Sequence, residues 1–273
     1  MPVNLTGTSL KTLTNVYWLA RKSRLLNTDW GRRVFAASYF LYKRYLEDPY
    51  HDLVERHAEL FRGGNILDIG ANIGYTALVF SRAIDPEHKV YAFEPERFNY
   101  ALLERSVGAP RARERIVPVL SAVGDRDGTI DLWENEHHHG DHRILTDQFR
   151  ETAAPSGAIA TPILRIDTFV EKQRDQFPVR FIKVDVQGYE LPVCKGMERT
   201  LASNPRAILA LEYMPEAMRE LGFQPEDLLT WLQQRDYQAY TLEKHGRFRP
   251  GVADLSGGQG YLDLLFSREK LGV

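Results

Sequence analysis

The apolar positions change rhythm near residue 63. Upstream, residues 11–26 and 31–46 carry Tyr, Trp, Phe and Leu at helical intervals, with Phe35, Tyr39, Tyr42 and Leu46 three or four apart on one stripe. Asp48-Pro49 reads as a break, Pro49 as the start of a helix to about Phe61, and Gly63-Gly64 as its end. From Ile66 the pattern becomes short apolar run, turn, amphipathic run. It predicts strands at Ile66–Ile69, Val90–Phe93, Ile116–Val123, Phe181–Val186, Ala207–Tyr213, Tyr237–Leu242 and Tyr261–Phe266. Helices are predicted at Tyr75–Ile84, 96–107, 189–203 and Pro225–Arg235. Such alternation implies an α/β, Rossmann-like fold: a mainly parallel sheet of seven strands with helices on both faces. Residues 124–170 interrupt it with turn chemistry at Gly124, Asp127 and Gly128, a strand-like Thr129–Trp133, a polar loop, and a strand–helix stretch around Leu164–Glu171. The expected division is a helical extension over 1–62 and a sheet domain over 63–273.

The segment Asp68-Ile69-Gly70-Ala71-Asn72-Ile73-Gly74 joins the first predicted strand to the first predicted helix. Ligands of doubly wound sheets sit outside the carboxyl ends of the strands, where this turn lies. Gly70 lets the chain turn sharply, and Gly74 lets the helix pack close to the strand. Asn72 stands where a dinucleotide fold wants a second glycine to admit a pyrophosphate. Asp68 would repel a diphosphate and suits a cationic amino group. Glu94 ends the next strand, in Ala92-Phe93-Glu94-Pro95, where an acid normally accepts hydrogen bonds from a ribose diol. A nucleoside with an amino-acid tail and no phosphates is S-adenosylmethionine. The expected donor contacts are Asp68 and the turn with its first helical residues (Gly70, Ala71, Asn72, Gly74, Tyr75, Thr76), Glu94 with Pro95, the Ser121–Ala122 turn under the adenine, and Asp185.

From about 65 to 245 the chain resembles the FkbM-type S-adenosylmethionine-dependent methyltransferases, which mostly methylate hydroxyl groups on sugars and natural products. The resemblance rests on Asp68–Gly74, Phe93-Glu94-Pro95, Ser121–Gly124, Leu164–Val170 and Ile182-Lys183-Val184-Asp185-Val186-Gln187-Gly188-Tyr189-Glu190. It implies a class I methyltransferase fold. Gln187 departs from the Glu more usual in that family, and Cys194 from an aliphatic residue.

Methyl transfer to a hydroxyl needs alignment and a base. Asp185, at the carboxyl end of a core strand, can face donor and acceptor, or simply cap the next helix. An ordinary Asp is a weak base for an alcohol, with a pKa near ~3.9. The loop His137-His138-His139-Gly140-Asp141-His142-Arg143 offers imidazoles, which titrate near ~6.5. Its spacing matches no zinc motif, so no dedicated metal is expected. Gly140–Arg143 resembles a segment of family members, which favours an active-site loop over a solvated one. His142 is the candidate base, and Arg143 the candidate grip on the acceptor. Glu212 and Tyr213 end the fifth strand on the same edge; either can bond an acceptor hydroxyl, and either can simply terminate the strand.

Composition and charge narrow the rest. The 273 residues are 43% hydrophobic and 26% charged, enough for a sizeable core. The single Cys194 leaves no intramolecular disulfide and no multi-cysteine zinc site, and fits packing in a reducing compartment. No apolar run suits a membrane helix or signal peptide, so a cytoplasmic location is expected. The net charge of -2 splits into +7 on residues 1–46 and -9 elsewhere. A negative sheet domain argues against nucleic acid. The basic, aromatic segment 11–46 is open to three readings: a cap over an anionic small-molecule or glycan acceptor, a peripheral membrane contact, or plain packing. Oligomeric state is left open, a homodimer included. The alternatives to an O-methyltransferase are an RNA or protein methyltransferase on the same fold and, against Asn72 and Asp68, a nicotinamide-dependent oxidoreductase.

Overall fold

Asn65–Ile69 is buried along its whole length and forms β1, the strand around which the sheet is organised. The computed structural model describes residues 28–44, 49–133, 142–153, 157–173, 176–255 and 260–272. Two units are distinguished, Met1–Asp48 and Pro49–Val273. In the first, α1 (Asp29–Tyr42) begins where the Thr28 hydroxyl accepts the Gly31 N–H at 3.0 Å, the usual N-cap bond. The helix expected over 11–26 lies outside the described residues. Pro49 belongs to the second unit, so the helix expected at the end of the extension is part of the sheet unit instead. It forms α2 (Tyr50–Arg56) and a 3-10 turn (Ala58–Phe61). The reason is aromatic packing: Tyr50 meets Phe80 edge-on at 5.7 Å, and Phe61 lies 4.4 Å from Phe181.

The second unit continues with α3 (Tyr75–Phe80), β2 (Val90–Glu94), α4 (Arg97–Ser106), α5 (Pro110–Arg113), β3 (Ile116–Leu120), β4 (Ala122–Val123), β5 (Gly128–Trp133) and β6 (Arg143–Ile144). Then come α6 (Asp147–Ala153), β7 (Ala158–Leu164), α7 (Ile166–Glu171), β8 (Val179–Val184), α8 (Glu190–Lys195) and α9 (Glu198–Ser203). The chain ends with β9 (Ile208–Tyr213), α10 (Pro215–Glu220), α11 (Pro225–Gln233), β10 (Gln238–Leu242), β11 (Phe248–Pro250) and β12 (Leu262–Ser267). The main sheet has eight strands in the order β11-β10-β12-β9-β8-β1-β2-β3, one more than expected, because the short β11 pairs with β10. Strands β9, β8, β1, β2 and β3 are parallel, and β12 enters antiparallel beside β9. The order reverses at β1, with β2 on one side and β8 on the other. That reversal opens a crevice at their carboxyl ends.

Two expected elements divide and a third is cut short. The strand predicted over Ile116–Val123 breaks at Ser121, and Ala122–Val123 joins a second sheet, β4-β7-β5-β6, made from the region that interrupts the predicted alternation and including the expected strand at Thr129–Trp133. Pro118 sits in β3 because β3 is an edge strand, where a missing N–H costs no ladder bond. The helix over 189–203 splits at Gly196, whose Cα lies so near Gly124 that an added Cβ would stand 1.8 Å from the Gly124 carbonyl oxygen. Buried Asp167 then accepts the Arg199 and Thr200 N–H groups, at 3.2 and 2.8 Å, at the start of α9. The third, α3, is shorter than Tyr75–Ile84 and ends in a turn after Phe80. Cys194 is fully buried, as packing requires. No described helix is long and apolar enough to cross a membrane.

Candidate active site

The turn after β1 is shaped by three left-handed residues, Gly70 (φ +81°), Asn72 (φ +50°) and Gly74 (φ +91°). A side chain at Gly70 would put its Cβ 1.8 Å from the Asp185 carbonyl oxygen, so glycine is required for packing as well as for φ. Gly74 faces Leu103 of α4, 2.6 Å from an added Cβ, rather than the strand. The N–H groups of Gly70 and Ala71 both donate to the Phe93 carbonyl, and the Asn72 N–H donates to Glu94 Oε2 at 2.9 Å. The turn is thus fastened to the end of β2.

Glu94 is 5% exposed and accepts a second backbone bond from the Glu96 N–H at 3.0 Å. Burial pushes its pKa up to about 8, with the Glu96 carboxylate adding to the rise and the two N–H bonds opposing it. Pro95 accepts the Thr161 hydroxyl at 3.2 Å, which ties the second sheet to this strand end. Ser121 and Ala122 are buried beside it. The Ser121 hydroxyl is spent on the Ala122 and Pro162 carbonyls, so this residue offers a surface more than a free donor.

Asp68 lies beneath the turn, fully buried, with the Thr76 hydroxyl donating to Oδ2 at 2.7 Å. Its other neighbour was not foreseen. Lys183, also buried, places Nζ 3.6 Å from Asp68 Oδ1, 3.2 Å from Asp185 Oδ2 and 3.3 Å from the Gly70 carbonyl. Burial raises the pKa of Asp68, and Lys183 opposes that. The register explains the meeting: Asp68 is paired with Lys183 across β1 and β8, so both side chains leave the same face. A lysine set among Phe181, Ile182 and Val184 in the buried half of this strand was the available signal.

β8 ends at Val184, and Asp185 follows, its N–H donating to the Ile69 carbonyl at 3.0 Å. The next residues turn back through Gln187 (φ +56°) and Gly188 (φ +103°), where an added Cβ would lie 2.7 Å from the Ala217 backbone of α10. Buried Glu190 holds this turn by accepting the Val186 and Gly188 N–H groups at 3.3 and 3.1 Å, and burial pushes its pKa up to about 7. The Gln187 amide donates to Asp185 Oδ1 at 2.9 Å and to Glu212 Oε2 at 2.8 Å. Gly70, Asn72, Pro95, Asp185, Gln187 and Glu212 are the partly exposed rim of the crevice.

Tyr213 is not part of that rim. Side chains alternate along β9, so its ring enters the core while Glu212 faces the other way. Tyr75 is likewise buried at the start of α3. Arg143 begins β6 of the second sheet, and His142 precedes it. Arg143 pairs with Glu220 at the end of α10 and lies 5.9 Å over the Phe149 ring. The same helix, α10, packs on Gly188 through Ala217. His137, His138, His139, Gly140 and Asp141 lie outside the described residues. Groupings suited to a metal ion, among the described residues, are His51/Asp52/Glu55 and Asp85/Glu87/His88, away from this crevice.

The profile of the methyltransferase FkbM domain matches residues 68–239, which hold every crevice residue from Asp68 to Glu212. The chain belongs to the FkbM methyltransferase family. It is an enzyme that uses S-adenosylmethionine as methyl donor. Among curated relatives of this FkbM methyltransferase, methyltransferase sdnD of Sordaria araneosa is 24% identical over 66% of this chain and 76% of its own. Hexuronic acid methyltransferase AglP of Haloferax volcanii is 28% identical over 50% of this chain and 51% of its own. Of solved structures, the O-methyltransferase TomG of Streptomyces achromogenes aligns with a TM-score of 0.49 at 13% identity, over 80% of this chain and 78% of that one.

The residues present fit the donor. A buried acid ends β2 for a diol. Around the Gly70 carbonyl, two carboxylates face one ammonium, an excess of negative charge that suits a cationic amino group and not a diphosphate.

Proposed function

We propose that this methyltransferase acts on a hydroxyl group of a small molecule, a sugar or glycan unit or a natural product. The observation that carries the reading is the pair of strand-end carboxylates, Asp185 and Glu212, joined through Gln187 on the rim beside the glycine turn. Acceptor-only groups at that point bind hydroxyl donors. The name of the relative AglP supports a sugar acceptor bearing a carboxylate.

S-adenosylmethionine, when bound, supplies a sulfonium methyl group. On the donor side Glu94 would accept the ribose hydroxyls, the turn from Gly70 through Thr76 with Pro95 would form the wall, and Ser121–Ala122 would hold the adenine. Asp68 acts from below, by holding Lys183 and the turn, and Asp185 faces the amino-acid tail. On the acceptor side Asp185 and Glu212 orient the hydroxyl, and Tyr213 anchors the strand end that carries Glu212. As the hydroxyl oxygen gains the methyl group, its proton passes to His142, whose type titrates near neutrality. Arg143, aligned by Glu220, meets a negative charge on the acceptor, and the basic segment 11–46 favours the same class of molecule.

The test is a transfer assay with deuterated-methyl donor against uronic-acid oligosaccharides, neutral sugars, hydroxylated polyketides and RNA, read by mass spectrometry. Label on an oxygen of a sugar or natural product is expected. Label on nitrogen or carbon, or on RNA alone, overturns the reading.

A further inference from the structure

Asp185 and Glu212 follow one another across neighbouring strands: Val184 is paired with Leu211, and each carboxylate belongs to the next residue along. Like charges so placed repel. Lys183 reaches Asp185 Oδ2 and, behind it, Asp68. Asp263, paired with Glu212 on β12, adds a further acid on the far side, and Glu190 of α8 adds one beneath Asp185. Between the two carboxylates stands a neutral group, the side-chain amide of Gln187. Its orientation is dictated by its partners. Both are oxygens with no proton to give, so the NH₂ end faces them and spends one N–H on each. The backbone is built to deliver it: Gln187 is left-handed without being glycine, Gly188 sits too close to Ala217 for any side chain, and Glu190 pins the N–H groups on either side.

We propose that Gln187 is a positioning residue: its amide clamps Asp185 and Glu212 into one rigid pair for the acceptor. Asp185 is then held at both oxygens, by Gln187 on Oδ1 and Lys183 on Oδ2, so its plane is fixed before an acceptor arrives. The proposal rests on the reading of these carboxylates as acceptor-facing.

Thermal unfolding of Gln187→Leu and Gln187→Glu from pH 5 to pH 8 tests it without knowledge of the acceptor. Without the shared donor the pair resists ionisation in the folded state, so its carboxylate pKa rises above the unfolded value. The penalty must then grow as pH rises. The gap in Tm to the wild type is expected to widen by about 3 °C between pH 5 and pH 8, more for Gln187→Glu, which keeps the side-chain volume and adds a third acid. Adding Glu212→Gln to Gln187→Leu should remove the widening. A gap that is constant with pH in both variants, or that Glu212→Gln leaves untouched, overturns the clamp and returns Gln187 to packing. Calorimetric titration of the wild type with S-adenosylmethionine separates the two levels. A protein that does not bind the donor defeats the proposed function, whereas a flat pH profile defeats only the role of Gln187.

Discussion

Glu94 makes donor binding a proton-linked event. In the folded protein its pKa stands at about 8, so at neutral pH the side chain is mostly protonated, with backbone N–H groups from Asn72 and Glu96 already against it. A ribose diol donates hydrogen bonds and favours the anion, so binding must expel the proton. Ionising the group at pH 6, two units below its pKa, costs about 2.7 kcal/mol at 1.36 kcal/mol per unit. The dissociation constant for S-adenosylmethionine should therefore fall by about fiftyfold from pH 6 to pH 8 and by about a further twofold before levelling off above that. Titration calorimetry at pH 7 in two buffers of different ionisation enthalpy should show a proton released per donor bound. Glu94→Gln keeps the shape and one acceptor, releases no proton, and binds with no pH slope. At pH 8 it should be weaker by about 1.5–3 kcal/mol, the loss of a charge-assisted hydrogen bond. The same variant should be the more stable one at pH 8 without ligand. A folded pKa raised above its ordinary value of 4.5 means that the wild type loses stability as pH climbs from there to about 8. Buffer-independent heats and a flat affinity profile in the wild type would refute the reasoning.

Gly70→Ala forces a Cβ onto the Asp185 carbonyl at a φ of +81°, and should lower unfolding free energy by about 1–3 kcal/mol and abolish donor binding; denaturant titration with unchanged midpoint would contradict this. Lys183→Met strands Asp68 and Asp185 and should cost about 3–5 kcal/mol near pH 7, less in acid as the carboxylates take up protons; a loss below about 1 kcal/mol would show that the ammonium is dispensable. His142→Ala should lower kcat and remove its rise with pH while donor affinity holds, and a fully active variant would leave the proton to another group.

Much of this chain is legible from local pattern. Strand and helix positions follow from the period of apolar residues, because burial on one face imposes 2.0 or 3.6 on any sequence that folds this way. The glycine turn and Glu94 were equally readable, since both lie where a short motif meets a strand end. Tertiary structure decided what the side chains meet. Nothing local says that Asp68 faces Lys183 across two strands distant in sequence, or that Gln187 bridges to Glu212 from the neighbouring strand; those contacts exist only once parallel register is set. Nothing local sends Tyr213 inward while Glu212 turns to the crevice, although both end the same strand. The second sheet was missed for the same reason. Within residues 124–170 the pattern shows Thr129–Trp133 and the stretch around Leu164, but β4 and β6 are two residues each, too short to show a period, and become strands only through partners that the fold supplies. Sequence determines the elements and the chemistry available at their ends, and pairing across the sheet determines which of those groups can act on one another.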